Sequence, residues 1–124
     1  MLAPSHIKLH KKSQTLELVF NDQPYILSSE FLRVLSPSAE VRGHGKGQET
    51  LQVGKKFVAI NHIETVGNYA IKLTFSDGHD TGIYSWDYLL QLGQTQQAKW
   101  QKYLEQLEEA GAKRTPSEIG RWSS

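Results

Sequence analysis

The stretch from Tyr69 to Trp86 constrains the fold more than any other part of the sequence. Tyr69, Ile71, Leu73 and Phe75 alternate with smaller or polar residues, the period-two pattern of a strand with one buried face. Ser76-Asp77-Gly78 interrupts the pattern, and Gly78 can adopt the left-handed conformation that closes a three-residue hairpin loop. His79, Thr81 and Ile83 then fall on one face of a returning strand. With Ile83 packed on Leu73 and Ile71, parity puts His79 on the same inner side; a slip of one residue reverses the assignment.

An earlier stretch has the same order of signals. Leu16, Leu18 and Phe20 alternate with Thr15, Glu17 and Val19, Asn21-Asp22-Gln23-Pro24 turns the chain, and Tyr25, Ile26 and Leu27 return. Ser28 or Ser29 can accept from a free amide at the start of a short helix ending before Pro37, and Glu30 suits its positive end. The second copy likewise closes on Ser85 before Trp86 to Leu92. Two copies are too few for a solenoid. The expectation is a small α+β domain: a largely antiparallel sheet from two hairpin-helix units, with a C-terminal helix. Its inner face should carry Leu16, Leu18, Phe20, Ile71, Leu73, Phe75 and Ile83. Ile7 and Leu9 mark a further strand before the first hairpin.

At 124 residues and 38% hydrophobic content the chain can bury one core. Lys and Arg number 14 against 13 for Asp and Glu, and this balance argues against a dedicated nucleic-acid or acidic-membrane binder. The absence of cysteine excludes disulfides and thiolate metal sites. No apolar run reaches membrane-spanning length and the N-terminus lacks a signal-peptide core, so a soluble, cytoplasmic protein is expected.

Between the two units, residues 36–56 are rich in Gly, Ser and charge, with Gly43-His44-Gly45-Lys46-Gly47 at the centre. The pattern reads as a surface loop, since a phosphate-binding loop needs a Lys-Ser or Lys-Thr pair opening a helix. Phe57 to Ile60 resumes extended structure. Thr95 can cap a final helix to about Ala110, on which Trp100, Tyr103, Leu104 and Leu107 share a face. That face either docks on the domain's own sheet or binds a partner. Gly111 ends the helix, and residues 111–124, with Pro116 and Trp122, read as a disordered tail.

Phe31 to Val41, Gly54-Lys55, Ile63 to Ala70 and, above all, Asp77-Gly78-His79 with Gly82-Ile-Tyr-Ser-Trp86 resemble the domain at the N-terminus of γ-butyrobetaine and trimethyllysine hydroxylases. The chain looks closest to stand-alone bacterial members of that family, known as DUF971. The resemblance covers roughly Ser5 to Leu92, and makes residues 1–93 the family domain, 94–110 an added amphipathic helix and 111–124 a tail.

In the hydroxylases, the resemblance implies, this domain holds a structural zinc through Cys-x-Cys-x-x-Cys and the second hairpin's histidine. The corresponding positions here are Ser36, Ser38 and Val41, with His79 matching the histidine. Neutral hydroxyls are poor zinc ligands and valine offers none, so neither metal nor cofactor is expected. His79 then reads as a hydrogen-bonded histidine at the rim of the core, although His44 could approach it to form a two-histidine site. The hydroxylases' iron and 2-oxoglutarate chemistry resides in a separate, larger domain, and the five histidines here give no facial triad.

No nucleophile with an oriented base and no nucleotide loop can be assembled from these residues. The expected function is a non-catalytic binding or adaptor domain for an unknown protein partner, accessory to iron-sulfur or metal-dependent enzymes. Arg33, Arg42, His44, His79, Tyr84 and Trp86 are its candidate partner surface, with Tyr84 and Trp86 alternatively in the core. The rival is a metal-binding regulatory subunit or component of an iron/2-oxoglutarate oxidoreductase system.

Overall fold

The computed structural model describes residues 2–43 and 47–116. A first antiparallel meander runs through β1 (His6–His10), β2 (Thr15–Phe20) and β3 (Gln23–Ser28) into the short helix α1 (Ser29–Val34). A second runs through β4 (Ile60–Val66), β5 (Ala70–Phe75) and β6 (Ile83–Ser85) into α3 (Trp86–Gln94). Between them lies a single helical turn, α2 (Ala39–Arg42), and α4 (Gln96–Glu109) follows α3.

The internal repeat is therefore real at the level of structure, down to its caps. Ser28 Oγ accepts from the Phe31 amide at 3.0 Å and Ser85 Oγ from the Tyr88 amide at 3.1 Å, each satisfying a free donor of its helix. The α+β class is as expected, but the units form two three-stranded sheets where the sequence suggested one. Neither third strand invites extension: β3 contains Pro24, which has no N–H to donate, and β6 is three residues long. The first hairpin is also tighter than expected, since Gln23 already pairs with Phe20 and leaves a two-residue turn. Asn21 and Asp22 both take positive φ there, 48° and 63°, as the twist of such a turn requires.

One core joins the sheets. Leu16, Leu18, Phe20 and Leu27 meet Ile71, Leu73, Phe75 and Tyr84 there, under Phe31, Leu32, Leu89 and Leu92 from the helices. Ile83, assigned inward from the sequence, is instead 48% exposed, and Tyr84 takes its place in the core. The cause is one extra residue in the returning chain. The Phe75 amide donates to the His79 carbonyl at 2.9 Å, which in continuous register would set Ile71 opposite Ile83. Tyr84 pairs with Ile71 instead, so the irregular residues 80–82 absorb one position and invert the parity beyond them. Tyr69, which the alternation counted in the same strand, lies in the turn before β5 and is exposed.

Helix α4 docks on the rest of the domain. Trp100 packs edge-on against Phe31, while Tyr103 and Leu107 form a second small cluster with Val34. Residues 111–116, expected to begin a disordered tail, cross back over the domain. The Gly54 and Lys56 amides donate to the Lys113 and Arg114 carbonyls at 3.0 and 2.9 Å. Arg114 also makes a two-pronged ion pair with the buried Glu30 carboxylate, at 2.9 and 2.7 Å. Trp122 lies outside the described residues. Among the described residues, no helix is long and apolar enough to cross a membrane.

Candidate functional site

The turn between β5 and β6 lies against the segment joining α1 to α2, and this brings His79 to Ser36, Ser38 and Glu40. The His79 ring is buried, with Nε2 2.8 Å from Ser36 Oγ and 3.4 Å from Ser38 Oγ. On its other side Nδ1 is 3.4 Å from Glu40 Oε2, and the second Glu40 oxygen accepts from Thr81 Oγ1 at 3.1 Å. The Ser38 amide donates to Ser36 Oγ at 3.3 Å, folding the segment around that hydroxyl. Gly82 passes so close that a Cβ there would overlap the Ser36 hydroxyl, which explains glycine at this position without any need for positive φ.

Asp77 supports the cluster from the turn. Its Oδ1 accepts from the His79 amide at 3.2 Å, and its Oδ2 meets Arg33 Nε at 2.9 Å and Lys55 Nζ at 2.7 Å. Arg33 also donates to Gln52 Oε1 at 3.0 Å. Burial acts to raise the Asp77 carboxyl, but Lys55, the His79 amide and Arg33 outweigh it and hold the group down at about 2. Burial, with the Arg33 charge, pulls His79 below its ordinary value against the opposing Glu40 and Asp77, so the ring favours its neutral form. Below the cluster Tyr84 donates to the Leu32 carbonyl, and its burial raises the phenol well above the ordinary range.

Four of the candidate partner-surface residues are not at the surface: for Tyr84 and Trp86 the alternative, a place in the core, holds, as does the reading of His79 as a hydrogen-bonded histidine at the rim of the core. Arg33 is buried in its ion pair with Asp77, His79 is buried in the cluster, and Tyr84 and Trp86 belong to the core. Trp86 Nε1 donates to the Asn68 carbonyl at 2.8 Å, so even its polar edge is occupied. Their sequence signal was that of interface anchors, which bulky aromatics and Arg share with core and ion-pair positions. Arg42 alone is exposed, its guanidinium 4.7 Å above the Tyr88 ring. His44 lies outside the described residues.

Sequence reasoning missed a groove of about 940 Å³ between the 36–52 region and α4. Val41, Arg42 and Leu51 line one side, Lys102, Tyr103 and Gln106 the other. Tyr103 closes its floor by donating to the Gln52 carbonyl at 2.7 Å, and burial pushes that phenol up to about 12. The α4 stripe gave half of this signal; the facing wall is irregular chain with no periodicity to read.

The family model for the γ-butyrobetaine hydroxylase-like N-terminal domain matches residues 7–90. The chain belongs to this family. Two proteins solved by NMR in solution resemble this family member over 94% of its length: one is 49% identical with a TM-score of 0.84 over 93% of its own chain, the other 50% identical with 0.80 over 87%. A crystal structure of a DUF971-family protein of unknown function from Acidithiobacillus ferrooxidans is 35% identical over 73% of this chain and 91% of its own, with a TM-score of 0.56. No curated protein matches the chain.

The zinc implied by this family can be tested against the residues present. Structural zinc takes four sulfur or nitrogen donors in a tetrahedron. This γ-butyrobetaine hydroxylase-like domain offers one imidazole, two neutral hydroxyls and, at the buried Val41, no donor atom. Among the described residues no group of three or more His, Asp or Glu side chains is placed to hold a metal ion. The donor set does not fit zinc. In outline Ser36, His79 and Glu40 follow the order of a hydrolytic triad, but the Ser36 hydroxyl is only 1% exposed and already engages the Ser38 amide.

Proposed function

We propose that this γ-butyrobetaine hydroxylase-like domain is a non-catalytic binding module whose partner surface is the groove between the 36–52 region and α4. One contrast supports the reading. The polar cluster that could carry chemistry is sealed, with Ser36 and His79 buried and bonded to each other, while the groove beside it is open. Its mixture of apolar floor, aromatic rings and cations suits a protein partner, since such sites gain affinity from a desolvated centre and orientation from a polar rim. A cytoplasmic location belongs to the same proposal; cell fractionation checks it.

Photo-crosslinking amino acids placed singly at Leu51 and Gln106 in the groove, and at Tyr69 on the opposite hairpin turn, test the assignment in cells. Groove positions should capture one common partner and Tyr69 should not. Capture from Tyr69 alone would overturn the proposal. So would conversion of 2-oxoglutarate to succinate by the purified protein with ferrous iron, which is what a component of an oxygenase system would show.

A further inference from the structure

We propose that the free edge of β4 pairs with the β4 edge of a second copy of this chain, antiparallel, across a two-fold axis at Ile63. The two sheets end in four edge strands, and three of these carry features that discourage further pairing. β3 contains Pro24, β6 has three residues, and β1 places Lys8 mid-strand and runs on to Lys11 and Lys12. β4 has none of these protections over its seven residues, and among the described residues it ladders only with β5. No residue of β4 lines the groove, so this is a separate surface.

Backbone direction shows which groups are free. The Ser76 amide donates towards β4, to the Ala59 carbonyl at 2.8 Å, and the Phe75 amide donates away from it, to the His79 carbonyl. Alternation along β5 therefore turns positions 70, 72 and 74 towards β4, which makes Val66, Glu64 and His62 their bonded partners. The N–H and C=O groups of Ile63 and Thr65 are left on the outer edge. Ile60 also points its amide outward, but Gln14 Oε1 meets it at 3.1 Å, so the open part of the edge begins beyond the irregularity between Ile60 and His62.

Side-chain charge selects both the occupant and the register. With Ile63 opposite its own copy, its outward groups exchange two hydrogen bonds, and each exposed His62 falls opposite the exposed Glu64 of the other chain. Centring the pair on Glu64 instead would set that carboxylate against itself, which like charge disfavours. Lys72 Nζ already lies 3.6 Å from Glu64 Oε2, so the row Lys72, Glu64, His62, Thr74 continues across the seam with alternating character. On the opposite face the half-buried Ile63, packed against the core from its edge, meets its own copy. Every contact occurs twice, as a two-fold interface demands, and a strand made self-complementary in this way fits a second copy. One strand pair is a small interface, so the dimer is a weak one.

Sedimentation and amide hydrogen exchange on the purified full chain test the proposal. A dimer should form as the concentration rises to about 1 mM, and a protein still monomeric there would overturn it. Over the same range exchange should slow at the Ile63 and Thr65 amides and stay unchanged at Glu64, whose amide β5 already holds; a dimer that leaves Ile63 and Thr65 unprotected counts against the edge. Thr65→Pro deletes one outward donor without touching the β5 ladder and should abolish association, so a folded Thr65→Pro protein that still dimerises refutes the pairing. His62→Glu and Glu64→Lys should each weaken the dimer about tenfold by setting like charges opposite, and an equimolar mixture of the two should restore it, because each variant then meets the opposite charge on the other. A mixture no tighter than its components overturns the register, and this comparison decides the matter should Thr65→Pro fail to fold.

Discussion

Replacing Asp77 by asparagine removes the charge that anchors the turn below His79 while keeping its shape. In the native protein the carboxylate faces Arg33, Lys55 and the His79 amide at 2.9, 2.7 and 3.2 Å. Its folded value is about 2 against an ordinary 3.8. At about 1.4 kcal/mol per pH unit that interval corresponds to roughly 2 kcal/mol of stability. Because the folded carboxyl stays ionised after the unfolded one has taken up its proton, this contribution is whole above pH 3.8 and shrinks as the pH falls towards 2. Protonated Asp77 and the asparagine that replaces it are both neutral and of nearly equal size, and either leaves Arg33 facing the same uncharged group. Urea unfolding followed by tryptophan fluorescence should therefore show Asp77→Asn about 2 kcal/mol less stable than wild type at pH 7, with the gap closing below pH 3. A gap of constant size across that range, or none at neutral pH, would refute the electrostatic account of the turn.

The parity inversion before β6 predicts opposite fates for two residues once expected on the same face. Leu73→Ala should cost roughly 2–5 kcal/mol, or about 8–19 °C in melting temperature at about 2.1 cal/mol/K for each of 124 residues, while Ile83→Ala should change stability by less than about 1 kcal/mol. Gly82→Ala should destabilise by about 1–3 kcal/mol through overlap with Ser36, and a Ser36→Gly background should recover part of that loss in a double-mutant cycle. Arg114→Ala strips the buried Glu30 of its partner and should cost about 1–3 kcal/mol; hydrogen exchange should speed up at the Gly54 and Lys56 amides that the crossing chain protects.

What the sequence determined by itself is the local grammar. Alternation in β2 and β5, the serine caps of α1 and α3, the glycine turn at Gly78 and the docked face of α4 depend on residues a few positions apart, so each is legible from spacing alone. The site is not local in this sense. Ser36 and His79 are 43 positions apart, and Arg114 and Glu30 are 84 apart, so no window of sequence contains either pair. His79 was placed inward from a parity it does not share with Ile83; it is buried because it closes the turn opposite Phe75, whereas Tyr84 enters the core only because residues 80–82 absorb one extra position. Arg33, Tyr84 and Trp86 show the same limit, since composition cannot tell whether a guanidinium or a ring will meet solvent or a distant carboxylate and carbonyl. Those contacts exist only after the two sheets and their helices have closed on a single core, and long-range closure, unlike strand period or helix capping, leaves no periodic trace along the chain.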